Sequence, residues 1–250
     1  MTTDTWLNEN SGTGGSADVI NPSNGSFNLT ETLVNDTVER NIYVGVPDSV
    51  HAAIPALTAN DDCEGTAYAP LANLNAAFKK IQANGKGGTY KIFVSGNNTG
   101  NFTIPSGITT AKASSIEIST AANNNSIAVL NGNGNGTVLT TESATPVTLK
   151  NIKITGGNTE SGGGIKIDGG NVILATGSLV TDNNAQWGAG VYVINGGSVT
   201  VKDGNISSNT AAGIGGAIFL YDGNIYIKNG ANIPYGGVVN NNDVYIDPAP

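Results

Sequence analysis

The chain is predicted to be all-β: a right-handed parallel β-helix whose coils take about 26 residues and three strands each, with a capping α-helix at its amino-terminal end. Three observations predict it. Apolar runs recur on a fixed register through roughly the last hundred residues, a signature of stacked repeats. Glycine is abundant at 35 residues, asparagine is frequent and only 12% of residues are charged, which favours many turns and few helices. One segment alone carries helical spacing.

From the amino terminus, residues 1–65 read as an irregular extension with strand-like pieces at Phe27-Asn28-Leu29-Thr30 and Asn41-Ile42-Tyr43-Val44, and residues 66–250 as the cap and solenoid. Leu71, Leu74, Phe78 and Ile81 place a helix over about residues 70–84. Laid across the open end of the column, that helix would cover the first coil's core and its unpaired strand edges. Tyr90-Lys91-Ile92-Phe93-Val94, Asn101-Phe102-Thr103-Ile104 and Ser115-Ile116-Glu117-Ile118 read as strands of early coils wider than the rest.

From residue 146 the period is regular. Ile165, Val191, Ile218 and Val244 open apolar runs at offsets of 26, 27 and 26. Val147, Val172, Val199 and Ile225 follow at 25, 27 and 26, and Ile154, Val180, Ile206 and Ile233 at 26, 26 and 27. Three short segments per period, separated by Gly, Asn, Asp and Ser, suit strands and are too brief for helices. A lone coil cannot bury its inward side chains, whereas coils stacked about 4.8 Å apart close the backbone ladder around an aliphatic column. Alternation turns Ile165, Ile167, Val191 and Val193 inward and Lys166, Tyr192, Phe219 and Tyr245 outward. Asp168-Gly169, Asn195-Gly196 and Asp222-Gly223 stack at one corner, where an Asx residue before Gly suits a tight turn.

Charge and composition exclude several classes. With Lys+Arg of 11 against Asp+Glu of 19 and a net charge of -8, no basic face is available for nucleic acid. One cysteine, Cys63, and one histidine, His51, leave too few ligands for a zinc or iron site. The run Asn131-Gly132-Asn133-Gly134-Asn135-Gly136 offers hard oxygen donors, so calcium is the one cofactor left open. No apolar stretch approaches the roughly 18 residues needed to span a bilayer, so no membrane insertion by this segment is expected. The first residues lack a signal peptide's regions, and the ending Asp247-Pro248-Ala249-Pro250 suits an excision point in a longer polypeptide. A monomer is expected.

The coils resemble the repeats of polymorphic outer-membrane proteins, which carry a Gly-Gly-Ala-Ile motif and a Phe-x-x-Asn motif. Gly215-Gly216-Ala217-Ile218 matches the first in full, and Gly162-Gly163-Gly164-Ile165 and Gly188-Ala189-Gly190-Val191 are variants of it. Val180-Thr181-Asp182-Asn183 and Ile206-Ser207-Ser208-Asn209 keep the Asn and replace Phe with an aliphatic residue. The likeness covers about residues 146–247, and the segment from Gly65 to Asn97 also resembles the opening of bacterial surface β-helix proteins. The resemblance implies export to the extracellular space or a bacterial cell surface, with adhesion or host contact as the role. That family's carboxy-terminal membrane barrel has no counterpart in this sequence.

Many β-helices are polysaccharide lyases or glycoside hydrolases, which need paired carboxylates or a basic proton acceptor. Asp168 and Asp222 share a corner two coils apart, but each precedes a turn glycine. Asp61-Asp62, with Glu64 nearby, lies in a loop before the helix, and His51 precedes the solenoid. Lys202 and Lys228 stack without an accompanying Arg or Asp cluster. No catalytic residue is assigned, and a non-enzymatic protein is expected. A binding surface is expected on the ladder Lys166, Tyr192, Phe219, Tyr245, widened by Tyr226 and Trp187, where aromatic faces in register suit sugar rings or partner side chains. The same rings would also stabilise coil pairing by stacking. Three functions stay open: an adhesin or interaction module for a host protein, matrix protein or glycan; a carbohydrate-active enzyme with its site in loops; and a structural spacer.

Overall fold

The computed structural model describes residues 39–45, 65, 70–121, 126–234 and 243–247. The strand-like Phe27–Thr30 segment, His51, Asp61-Asp62, Cys63 and Glu64 lie outside these residues. All described residues belong to one compact unit, Val34–Pro250, and form a parallel β-solenoid of about six coils with one short helix.

The order begins with β1 (Glu39–Val44) and α1 (Leu74–Asn84). Two wide coils follow: β2 (Thr89–Val94), β3 (Asn97–Thr99) and β4 (Phe102–Ile104), then β5 (Ser115–Thr120), β6 (Ala128–Asn131) and β7 (Leu139–Thr141). The third comprises β8 (Val147–Lys150), β9 (Ile152–Thr155), β10 (Asn158–Ser161) and β11 (Ile165–Asp168). The fourth comprises β12 (Asn171–Leu174), β13 (Leu179–Thr181), β14 (Asn184–Trp187) and β15 (Val191–Ile194). The fifth comprises β16 (Gly197–Val201), β17 (Asn205–Ser207), β18 (Thr210–Ile214) and β19 (Ile218–Leu220), and the last contains β20 (Gly223–Ile227) and β21 (Val244–Ile246).

Three long sheets run along the stack. We name them the first (β1-β2-β5-β8-β12-β16-β20), the second (β3-β6-β9-β13-β17) and the third (β4-β7-β11-β15-β19-β21). A fourth, β10-β14-β18, gives the third, fourth and fifth coils four strands where three were expected. Its strands are polar and bury only a small alanine cluster, Ala185, Ala189 and Ala211, so no aliphatic alternation marks them in the sequence. The backbone ladder sets their register, as in Asn158↔Asn184↔Thr210.

The read register is the built one: Val147↔Val172↔Val199↔Ile225 pair in the first sheet and Ile165↔Val191↔Ile218↔Val244 in the third. Inward Ile165, Ile167, Val191, Val193, Val199 and Val201 are fully buried in one continuous core. The early coils are wider, as expected. Phe102↔Leu139 spans 139−102=37 residues and Ile116↔Val147 spans 147−116=31, with the excess in loops.

The helix begins later than residue 70. Asn73 caps it, its Oδ1 accepting the Ala76 N–H at 3.1 Å, and Leu74, Ala77, Phe78 and Ile81 form the buried face at i, i+3, i+4 and i+7. Leu71 instead bridges to Val44 in parallel fashion and is buried there. The Asn41–Val44 segment, unplaced by sequence alone, lies in β1, which adds a strand to the first sheet beside β2.

Candidate functional site

The sequence-derived ladder assembles on the outward face of the third sheet. Neighbouring coils pair Lys166↔Tyr192, Tyr192↔Phe219 and Phe219↔Tyr245. Parallel in-register pairing lays one side chain over the next, and the rings stack as that geometry requires. Tyr192 and Phe219 have centroids 5.4 Å apart at 5°, and Phe219 and Tyr245 lie 5.2 Å apart at 11°.

The ladder is not the exposed strip expected. Tyr192 is 9% exposed and Phe219 5%, while Tyr245 is half-buried. Both faces of the Phe219 ring are taken by its neighbours, and the turn glycines pass close beneath: a Cβ on Gly188 would sit 3.0 Å from Tyr192 Cβ, and one on Gly215 only 2.7 Å from Phe219 Cβ. The turns preceding β15 and β19 therefore fold against the base of the Tyr192 and Phe219 side chains. Burial raises the Tyr192 pKa above its ordinary value, and the nearby Tyr221, Asp247 and Asp168 push it the same way. The phenol is thus held as a neutral hydroxyl.

Two further sequence-derived residues sit apart. Tyr226 lies on β20, across the corner in the first sheet, paired with Thr200 and 48% exposed. Trp187 ends β14 in the fourth sheet, half-buried, with its Nε1 only 3.2 Å from where a Gly213 Cβ would stand. Tyr221 was missed. It is 52% exposed at the corner between β19 and β20, and period-two spacing from Phe219 was the signal that marks it as outward.

The acidic corner is a hydrogen-bonded turn stack. Asn195 Nδ2 donates to Asp168 Oδ1 at 2.6 Å, and the Gly196 N–H donates to Asp222 Oδ2 at 3.0 Å, so the intervening coil engages both carboxylates. The Asn-Gly run is likewise tied internally. Asn131 Oδ1 accepts the Asn133 N–H, and Asn101 Nδ2 donates to the carbonyls of Asn135 and Thr137. Among the described residues no group of three or more His, Cys, Asp or Glu comes together, and no helix is long and apolar enough to cross a membrane.

The Asn of the aliphatic-x-x-Asn motif has a defined place. Asn183 and Asn209 are fully buried between the second and fourth sheets. Asn183 Oδ1 accepts the Gly157 N–H, its Nδ2 donates to Ile154 and Thr181 carbonyls and to Asn209 Oδ1, and Asn209 Nδ2 donates to the Val180 carbonyl. Each side chain thus completes backbone bonds across a coil junction.

Comparison with protein-family models, with curated proteins and with solved structures finds no match to this chain.

Proposed function

We propose that this protein is a secreted or surface-displayed β-solenoid scaffold, an adhesin-type interaction module without catalytic activity of its own, that contacts a host protein, a matrix protein or a glycan. One observation carries the reading: the stacked column Tyr192–Phe219–Tyr245, with Tyr221 standing 52% exposed at the adjoining corner and Tyr226 48% exposed on the first sheet. A repeating ladder fixes these rings on a rigid frame, so contact costs little side-chain ordering, and aromatic faces pack well on sugar rings and apolar side chains. The column supplies the support and the two exposed tyrosines the contact. Placement outside the cell rests on the motif resemblance. The helix is read as the solenoid's amino-terminal cap, because its buried face joins the core beside β1 and β4.

The near-complete burial of Tyr192 and Phe219 favours a second reading, a structural spacer whose rings serve only to pair coils. Glycan and matrix-protein panels separate the two. Binding that disappears in the Tyr221→Ala, Tyr226→Ala double variant, with an unchanged melting temperature, supports the interaction module. No binding by the parent protein on either panel leaves the spacer.

A further inference from the structure

The corner between β15 and β16 sets a reactive pair of residues against two carboxylates. Asn195-Gly196 makes the whole connection, since β15 ends at Ile194 and β16 begins at Gly197. Both residues are exposed, and a Cβ on Gly196 would meet nothing within 4 Å. With no side chain beside it, the Gly196 amide nitrogen is an unhindered nucleophile for the Asn195 side-chain carbonyl, and that attack closes a succinimide ring. The Gly196 N–H donates to Asp222 Oδ2 at 3.0 Å, and Asn195 Nδ2 donates to Asp168 Oδ1 at 2.6 Å.

The proton acceptor sets this pair apart. An amide nitrogen attacks only as its proton leaves, so a base within about 3 Å of that nitrogen speeds the step. At Asn84-Gly85 the glycine N–H donates to the Ile81 carbonyl, at Asn131-Gly132 to that of Thr155 and at Asn133-Gly134 to that of Gly156. A carbonyl oxygen is too weak a base to take the proton, whereas a carboxylate can. The carboxylates come from the coils on either side of Asn195, so the base is brought to the pair by the register of the stack.

We propose that Asn195 is a self-modification site, at which the folded chain converts its own amide into a carboxylate. The Gly196 nitrogen bonds to Asn195 Cγ as its proton passes to Asp222. The Cγ–Nδ2 bond breaks, the proton returns to the departing nitrogen, and ammonia leaves behind the succinimide. Water then opens the ring, giving aspartate when the Cγ–N bond is cut and isoaspartate when the bond to the main-chain carbonyl carbon is cut. Net, water is consumed and ammonia released. Either product sets a third carboxylate between Asp168 and Asp222 at a coil spacing of about 4.8 Å, so the corner passes in one direction from a hydrogen-bonded stack to a run of like charges. The altered link lies outside both strands, between the pairs Asp168↔Ile194 and Gly197↔Gly223, so the ladder on either side is kept.

The whole chain, incubated folded at neutral pH and then digested, should show by peptide mass spectrometry that Asn195 converts before Asn84, Asn131 and Asn133. Asp222→Asn keeps an oxygen acceptor for the Gly196 N–H but removes the base, and should slow the conversion at least about tenfold. Asp168→Asn takes the same charge from the same corner and leaves the base in place, so it should change the rate by less than about twofold. Circular dichroism checks that both variants fold. Unfolding the parent in urea separates Asp222 from Gly196 and should slow Asn195 itself, a readout that needs no variant. An Asn195 that survives in the folded chain while Asn131 or Asn133 converts overturns the proposal. So does a folded Asp222→Asn protein that converts as fast as the parent, or a parent that converts at Asn195 no faster folded than in urea.

Discussion

Tyr192 faces away from the solenoid core, yet it is 9% exposed and its hydroxyl is held neutral beyond the ordinary tyrosine range. The cause is its position in a column: Phe219 stacks on the ring while the Gly188 turn closes against its Cβ. The consequence for stability has a definite sign. A folded pKa above the unfolded value of about 10 means the folded protein binds the proton more tightly, so the contribution is complete below about pH 10 and declines as pH rises through the folded pKa. Melting temperatures compared between about pH 8 and about pH 11 should fall less in Tyr192→Phe than in the parent, since the ring stack stays and the titrating hydroxyl goes. Lys91 acts in the same direction in both proteins, its pKa raised first by the hydrogen bond to Glu39, so the difference between them isolates Tyr192. An identical decline in the two would remove the buried phenol as a source of pH dependence.

At the scale of the element, turns and strands are coupled through positions where only particular residues serve. Gly188 has φ +59 and leaves no room for a Cβ, which would meet the Val191 carbonyl at 2.6 Å. Asn183 does for the interior what glycine does for the turn, because its amide bonds backbone groups of the preceding coil, Gly157 N–H and the Ile154 carbonyl, and the Thr181 carbonyl of its own. Asn183→Ala should cost about 2–4 kcal/mol in urea unfolding, as it orphans the buried Gly157 N–H together with carbonyls that lose a donor. A loss under about 1 kcal/mol would mean water replaces the side chain at the junction. The motif residues were legible in the sequence and their role was not, since a repeated Asn looks the same whether it caps a surface turn or bridges buried backbone.

At the scale of the whole molecule, stability is a sum over neighbouring coils, and a coil is therefore a removable unit. The register Asn171↔Ser198 sets its length at 198−171=27 residues. Deleting residues 171–197 joins Gly170 to Ser198 and lays β16 on β8, so the shortened chain should fold with the far-ultraviolet spectrum of the parent and a lower melting temperature. Deleting 171–183 alone sets a strand of the fourth sheet over the first and should leave the chain unable to complete its ladder. Equal damage from both deletions would contradict independent stacking.

The sequence by itself determined the solenoid, its register and its inward column, because period-two alternation repeated near every 26 residues has one packing solution: like positions stacked in parallel. It also set the aromatic ladder in order, since parallel register carries one outward position onto the next. The fourth sheet, the place of β1 and the burial of Tyr192 and Phe219 were decided only by the tertiary structure. These depend on which strand lies beside which. Hydropathy records which way a side chain faces, whereas its exposure depends on what stands next to it.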